Sequence, residues 1–223
     1  TYMESHDEER VIYKALNYGN SNGNYNVKNL NTSLERLKSA GSILFLLPGP
    51  KMIWQFGEIG YDISIDYNGR LGRKPIKWNY LNEVNRKNIY DTWSYLISLR
   101  KKHSIFSNPQ SKIDTWLNSS IKKIQYSLDE ENAILITNFD VKTLQTSVSL
   151  PSAGHWYHAT LGEKIYIEDN ELDISIPAGT FLLMTDFEID YLPKGQAKLS
   201  VEKIIMPKSL TLHSNYPNPF NSR

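Results

Sequence analysis

The sequence has no cysteine in its 223 residues. That absence excludes disulfides and thiolate metal sites but leaves the compartment open, because large secreted domains often fold without disulfides. An excess of charge of one sign is also missing: 25 Lys and Arg against 24 Asp and Glu leave a net +1. With neither a basic stripe nor an acidic block, nucleic acid is not an expected partner, and the expected partner is uncharged. Long hydrophobic runs are absent too. The longest, Ile43 to Leu47, falls far short of the roughly 20 residues that span a bilayer, and no basic-then-apolar leader opens the chain. Neither a nucleotide-binding glycine loop nor metal-ligand histidine spacing occurs, and no internal repeat is convincing. The chain opens at Thr1 inside a dense motif rather than at a Met, and it reads as a fragment.

What is present is 40% hydrophobic and 12% aromatic residues, enough for one large domain or two small ones with real cores. Residues 28–47 place Leu30, Leu34 and Leu37 on one helical face, with a Thr32-to-Glu35 capping box, and stop at Pro48-Gly49-Pro50. Met52-Ile53-Trp54-Gln55-Phe56 lacks helical spacing and ends at Gly57, which predicts a buried strand. Residues 83–102 set Ile89, Trp93, Leu96, Ile97 and Arg100 at helical spacing. The first hundred residues therefore read strand, helix, strand, helix. The asparagine-rich stretch 17–26 reads as an irregular loop.

Beyond Pro109 the pattern changes to short apolar runs separated by turn residues, at 121–128, 133–139, 144–150, 155–160, 164–167, 172–176 and 180–185. This spacing predicts an antiparallel β-sandwich. The fold class expected is thus α/β plus all-β: residues 1–112, then an antiparallel β domain over 113–190, then a linker and tail over 191–223.

Tyr2-Met3-Glu4-Ser5-His6-Asp7-Glu8-Glu9-Arg10 packs four carboxylates, an imidazole and a guanidinium into nine residues at the end of an expected strand. The same residues fit a charged loop whose acids are solvated or paired with Arg10. In an α/β barrel, however, reacting groups sit where strands end, and that position favours chemistry.

The segment resembles the seventh-strand motif of the alpha-amylase family of glycoside hydrolases: an aromatic, then Glu, a small polar residue, His, Asp and, three later, Arg. A second segment, Leu47-Pro48-Gly49-Pro50-Lys51-Met52-Ile53-Trp54-Gln55-Phe56-Gly57-Glu58, is similar to that family's eighth strand, and the two come in the family's order. The stretches 74–78 and 96–103 resemble the approach to, and passage through, the barrel's last helix. The family often has asparagine where Ser5 stands and proline where Glu9 stands, which places the chain in a variant subgroup.

The resemblance implies a partial (β/α)8 TIM barrel, strands seven and eight with their helices, followed by the family's C-terminal β domain. It implies Asp7 as the third catalytic carboxylate, which strengthens its hold on sugar hydroxyls as the ring approaches an oxocarbenium-like transition state. His6 would donate to a sugar hydroxyl. Arg10, Glu58 and Tyr61 would contact or orient substrate, with Trp54 and Tyr67 offering flat faces to pyranose rings; core packing is the alternative for Trp54.

Retaining glycosidases need a nucleophile and a general acid roughly 5 Å apart, and the family supplies these from its fourth and fifth strands, which would precede Thr1. The chain alone is therefore expected to be inactive, as part of a retaining alpha-glucan hydrolase acting on an alpha-glucan polysaccharide or oligosaccharide. The alternatives are a glucan branching enzyme or other transferase of the same family and, from another class, a non-catalytic glycan-binding surface protein. No cofactor is expected within the chain. The calcium that often supports such enzymes usually binds in the part absent here, and Asp62 with Asp66 is too weak a pair for a metal site. Leu212–Asn221 resembles the opening of sorting domains of the bacterial type IX secretion machinery, which implies a secreted or cell-surface bacterial protein.

Overall fold

The computed structural model describes residues 1–159 and 162–190; the sorting-tail expectation at 212–221 lies outside the described residues. Helix α1, Val11–Tyr18, follows the acidic opening, and a hairpin of β1, Ser21–Asn22, with β2, Tyr25–Asn26, turns at Gly23 with φ +54°. Helix α2 runs Leu30–Leu46 and α3 runs Val84–Lys102. The asparagine-rich stretch is therefore a helix end and a short hairpin rather than an irregular loop.

The α2 boundary corrects the sequence reading. Asn29, not Thr32, caps the helix, its side-chain oxygen accepting from Asn31 N–H at 3.0 Å and Thr32 N–H at 3.4 Å. A carboxamide three residues earlier satisfies the first free amides, so Thr32 lies in the first turn and Glu35 pairs with Lys38 at 2.5 Å. The helix ends at the extended Leu47, where Pro48 disfavours a helical predecessor. Gly41 lets α2 meet α3: a Cβ there would sit 2.0 Å from the Trp93 indole nitrogen. Trp93 also packs edge-on against Phe45, ring centres 5.1 Å apart.

The strand expected at 52–56 does not form, and neither does one over the opening residues. The two segments touch through the Thr1 ammonium donating to Pro50 O at 2.8 Å and Met52 N–H donating to Thr1 O at 3.1 Å. A ladder needs a partner along its length, and here the pairing stops at one residue. Phe56, at φ +63°, then turns the chain into a 3-10 turn over Gly57–Ile59.

The remaining strands are antiparallel. β3 (Lys112–Trp116), β4 (Ile121–Leu128), β5 (Glu131–Asn138), β10 (Phe181–Thr185), β7 (Gly154–His158) and β8 (Glu163–Ile167) form one six-stranded sheet in that order. β6 (Leu144–Ser149) pairs with β9 (Glu171–Ile176) in a separate two-stranded sheet. One face of the large sheet, with Ile124, Tyr126, Leu135, Phe181 and Leu183, shares a core with Leu34, Leu37, Phe45, Trp93 and Leu96 of the helices. The other, with Ile134, Ile136, Leu182, Met184 and Trp156, packs on Val148, Leu172, Ile174 and Ile176 of the small sheet. Sheet packing on sheet thus describes one face only; the helices cover the other. Burial on both faces explains the unbroken apolar runs 133–136 and 181–184, where one-sided burial would demand alternation.

Polar ties fix the helices to the sheet. The Arg36 guanidinium donates to Asp140 O at 3.0 Å and Phe139 O at 2.8 Å, and the Ser39 hydroxyl donates to Gly179 O at 2.7 Å. Arg100 gathers the carbonyls of Phe45, Leu47 and Phe106, holding the abrupt end of α2 against α3.

Candidate functional site

Nine residues of loop leave Glu4, Ser5 and Arg10 buried and His6 and Asp7 exposed. The burial has a hydrogen-bonded cause. Glu4 Oε2 accepts Val11 N–H at 2.9 Å, supplying the partner that the start of α1 lacks within the helix. The Arg10 guanidinium donates to Ser5 O at 2.7 Å and lies 5.9 Å from the ring centres of both Trp54 and Tyr61. Ser5 is the turn's pivot, its hydroxyl accepting Asp7 N–H at 3.1 Å and donating to the Glu8 carboxylate.

The two positions that depart from the family pattern therefore have local work. Ser5 builds the turn that turns His6 and Asp7 outward. Glu9 accepts from the Ser64 hydroxyl at 2.7 Å and from Ile65 N–H at 2.9 Å, joining the loop to the segment after the 3-10 turn. Partial burial pushes the Glu9 carboxyl upward, but the hydrogen bonds from Ser64, Ile65 and Arg10 outweigh it and hold the acid below its ordinary value. Glu4 goes the other way: burial is the largest influence and raises its carboxyl, although Val11 N–H and Arg10 pull it down. Gly57 is needed beside it, since a Cβ there would lie 2.6 Å from Glu4 Oε1.

Asp7 and His6 face each other, His6 Nε2 and Asp7 Oδ2 being 3.0 Å apart, and both remain open to solvent. The Trp54 ring stands 5.8 Å from the imidazole. Sequence reasoning missed Arg70, which donates to Asp7 O at 2.8 Å and approaches the Asp7 carboxylate at 3.7 Å. Nothing in the spacing of 63 residues signals that contact.

The other expected site residues are dispersed. Tyr61 is buried, its hydroxyl donating to Pro75 O at 2.5 Å and its ring packed with Phe56 and Tyr80; burial raises its phenol above the ordinary value. Glu58 lines a hollow of about 340 Å³ with Ile59, Trp78, Leu81, Lys87 and Tyr90. No hydrogen bond or ion pair among the described residues joins it to His6, Asp7 or Arg10. Tyr67 is exposed and Trp54 half-buried. Asp62 is taken up by Tyr80, whose hydroxyl donates at 2.6 Å, and by Arg86 at 2.9 Å. Among the described residues no group of three or more His, Cys, Asp or Glu is placed to hold a metal ion, and no helix is long and apolar enough to cross a membrane.

No protein-family model matches the sequence and no curated protein matches it. The fold, in contrast, is similar to those of solved alpha-amylase family enzymes. The alpha-amylase of Geobacillus thermoleovorans, complexed with acarbose, superposes with a TM-score of 0.62 at 15% identity, over 82% of this chain and 38% of that one. A noncanonic maltogenic alpha-amylase from Thermotoga neapolitana gives 0.60 at 14%, over 85% and 41%. A cyclomaltodextrinase gives 0.61 at 15%, over 83% and 29%. The chain thus spans less than half the length of each of these structures, and its fold is similar to part of theirs.

Proposed function

We propose that the chain is the portion of a retaining alpha-glucan hydrolase that corresponds to strands seven and eight, whose ladders would need the barrel's other strands, and to the C-terminal β domain. Residues 1–112 would close the barrel, 113–190 would form the β domain, and 191–223 would serve as linker and sorting tail on a secreted or cell-surface bacterial protein. The observation that carries the reading is the paired, outward-facing His6 and Asp7 on a loop clamped from below by Glu4, Ser5 and Arg10. Clamping of this kind preorganises a carboxylate for transition-state contact.

In this reading Asp7 holds sugar hydroxyls and gains strength as the ring distorts, while His6 donates to a neighbouring hydroxyl. Arg70 orients the Asp7 carboxylate. Arg10 and Tyr61, both buried, position the loop rather than touch sugar. Glu58 would meet substrate only through its own hollow. The nucleophile and general acid would come from strands outside this chain, so the chain by itself binds glucan without hydrolysing it.

Two experiments test this. Maltoheptaose titrated into the isotope-labelled chain is expected to shift the His6 imidazole resonances, with Asp7→Asn weakening binding about tenfold, the range of one charge-assisted hydrogen bond. Reading the DNA upstream of the Thr1 codon is expected to show an in-frame strand-ending Asp and, later, Glu. Hydrolysis by the chain alone, or binding that leaves His6 unmoved, would sink the proposal.

A further inference from the structure

The two-stranded β6–β9 layer is narrower than the sheet it covers. It packs on β5, β10 and β7 through Ile134, Ile136, Leu182, Met184 and Trp156, and it leaves the β3–β4 end of that face as an open shelf. The wall of β6 and this shelf meet in a groove of about 400 Å³. Across its floor runs one cross-strand row: Trp116 on β3 pairs with Lys123 on β4, which pairs with Ile136 on β5.

Trp116 is 47% exposed although it sits in a strand. One face of its indole is covered by the Lys123 ammonium, 4.0 Å from the ring centre. The cation holds the ring in place and leaves its exposure to the opposite face. Ser119, Ser120, Thr146 and Ser147 line the groove over the apolar floor. The hydroxyls of Ser119 and Ser147 donate to Ile121 O and the Asp173 carboxylate and that of Ser120 bonds Asp140, while among the described residues Thr146 Oγ1 makes only a long 3.4 Å bond to Ser147 O. Lys123 is the single charged side chain among the described residues of that lining, and the Asp173 and Asp140 carboxylates stand behind Ser147 and Ser120.

We propose that this step is a second glycan site, taking a neutral alpha-glucan chain with one pyranose stacked on Trp116 and its hydroxyls bonded to Thr146 and donating to the oxygens of the serines. A fixed aromatic face, flanking hydroxyls and a lone lysine already stacked on that ring are the chemistry that recognises a polyol ring rather than an ion or an acidic peptide. The choice of alpha-glucan over other neutral glycans rests on the function proposed above; the site itself rests on the groove. Placed on the β portion, it anchors a long chain while the His6–Asp7 loop addresses another part of it.

Native electrophoresis of the full chain through gels containing soluble starch tests the site. Starch is expected to retard the protein, Trp116→Ala to raise the apparent dissociation constant about tenfold, and Trp116→Tyr to restore most of it by supplying a stacking face. Asp7→Asn weakens the loop's own hold on glucan and is expected to lose only that share of the retardation, while Asp7→Asn combined with Trp116→Ala is expected to lose the rest. Retardation in Trp116→Ala equal to that of wild type, or in the double variant equal to that of Asp7→Asn alone, overturns the proposal. Retardation by a β-1,4-glucan instead, lost in Trp116→Ala, overturns the alpha-glucan assignment and counts against the function proposed above. Absence of retardation by either overturns the site and leaves that function to its own test. A mobility shift that depends on protein concentration alone and disappears in Trp116→Ala assigns the step to a second copy, again overturning it.

Discussion

Glu4 and Asp7 are three residues apart and occupy opposite environments. Glu4 is buried, its carboxyl raised mainly by the loss of water; Asp7 is open to solvent beside His6. Burying a charge at Glu4 opposes folding at neutral pH. The sign follows from the raised folded-state value: that penalty is absent below the ordinary carboxylate range and grows as pH climbs through the raised one. Glu4→Gln keeps an oxygen for Val11 N–H and removes the charge. It is expected to raise the urea midpoint at pH 7 and to match wild type near pH 4; a variant less stable at pH 7 would show that the ion contributes more than its burial costs. His158 offers the opposite case. Fully buried in β7, its imidazole is held down to about 4 by desolvation. A base depressed in the folded state leaves the unfolded chain binding more protons, so its contribution is complete above the unfolded value and fades as pH falls toward 4. On linkage grounds, stability is expected to drop by about 2 kcal/mol between pH 7 and pH 5 from this group. Urea melts of wild type against His158→Gln check it, since the variant lacks that part of the slope.

At the scale of elements, helix meeting helix depends on one missing side chain. Gly41 brings α2 onto Trp93, and the indole there is hemmed by Phe45 and by its own bond to Leu37 O at 3.3 Å. Gly41→Ala improves local helix propensity by about 1 kcal/mol, yet overpacking a rigid ring costs on the order of 1–3 kcal/mol, so the net expectation is a lower thermal midpoint, read by circular dichroism. Gain of stability would mean that α2 and α3 move apart freely. Most elements were legible because their patterns were strong: the α3 periodicity and the strands from β4 to β10 appear within a few residues of where their spacing puts them. β3 was missed because Lys112–Trp116 alternates weakly at a sheet edge. Helix α1 was missed because the acidic cluster before it reads as a strand end, and because its N-cap position is Arg10, with no side-chain cap, the carboxylate that meets its first amide coming from Glu4, seven residues earlier.

For the whole molecule, three layers share two cores, with the large sheet buried on both faces. The failure of 52–56 to become a strand has its cause at this scale, since an extended segment is a strand only with neighbours to complete its ladder. Met52 and Ile53 remain about 40% exposed there. An apolar segment with unpaired backbone is a template for association, and the chain is expected to self-associate on size-exclusion chromatography at tens of micromolar or above, with Ile53→Lys shifting it toward monomer. A wild-type monomer with cooperative unfolding across that range would contradict this.

By itself the sequence determined the strongly patterned local matters: helices α2 and α3, the strands from β4 to β10, where prolines stop a helix, and that an imidazole and an acid stand side by side after an aromatic. These follow from periodicity and turn chemistry within a few residues. Only the tertiary structure decided that Tyr61 is buried, that Arg70 reaches Asp7 across 63 residues, that Glu58 faces a separate hollow, and that Trp116 stands on an uncovered shelf. Each of those depends on which distant surface covers a side chain, and burial by a distant partner leaves no periodic trace in the chain that folds under it.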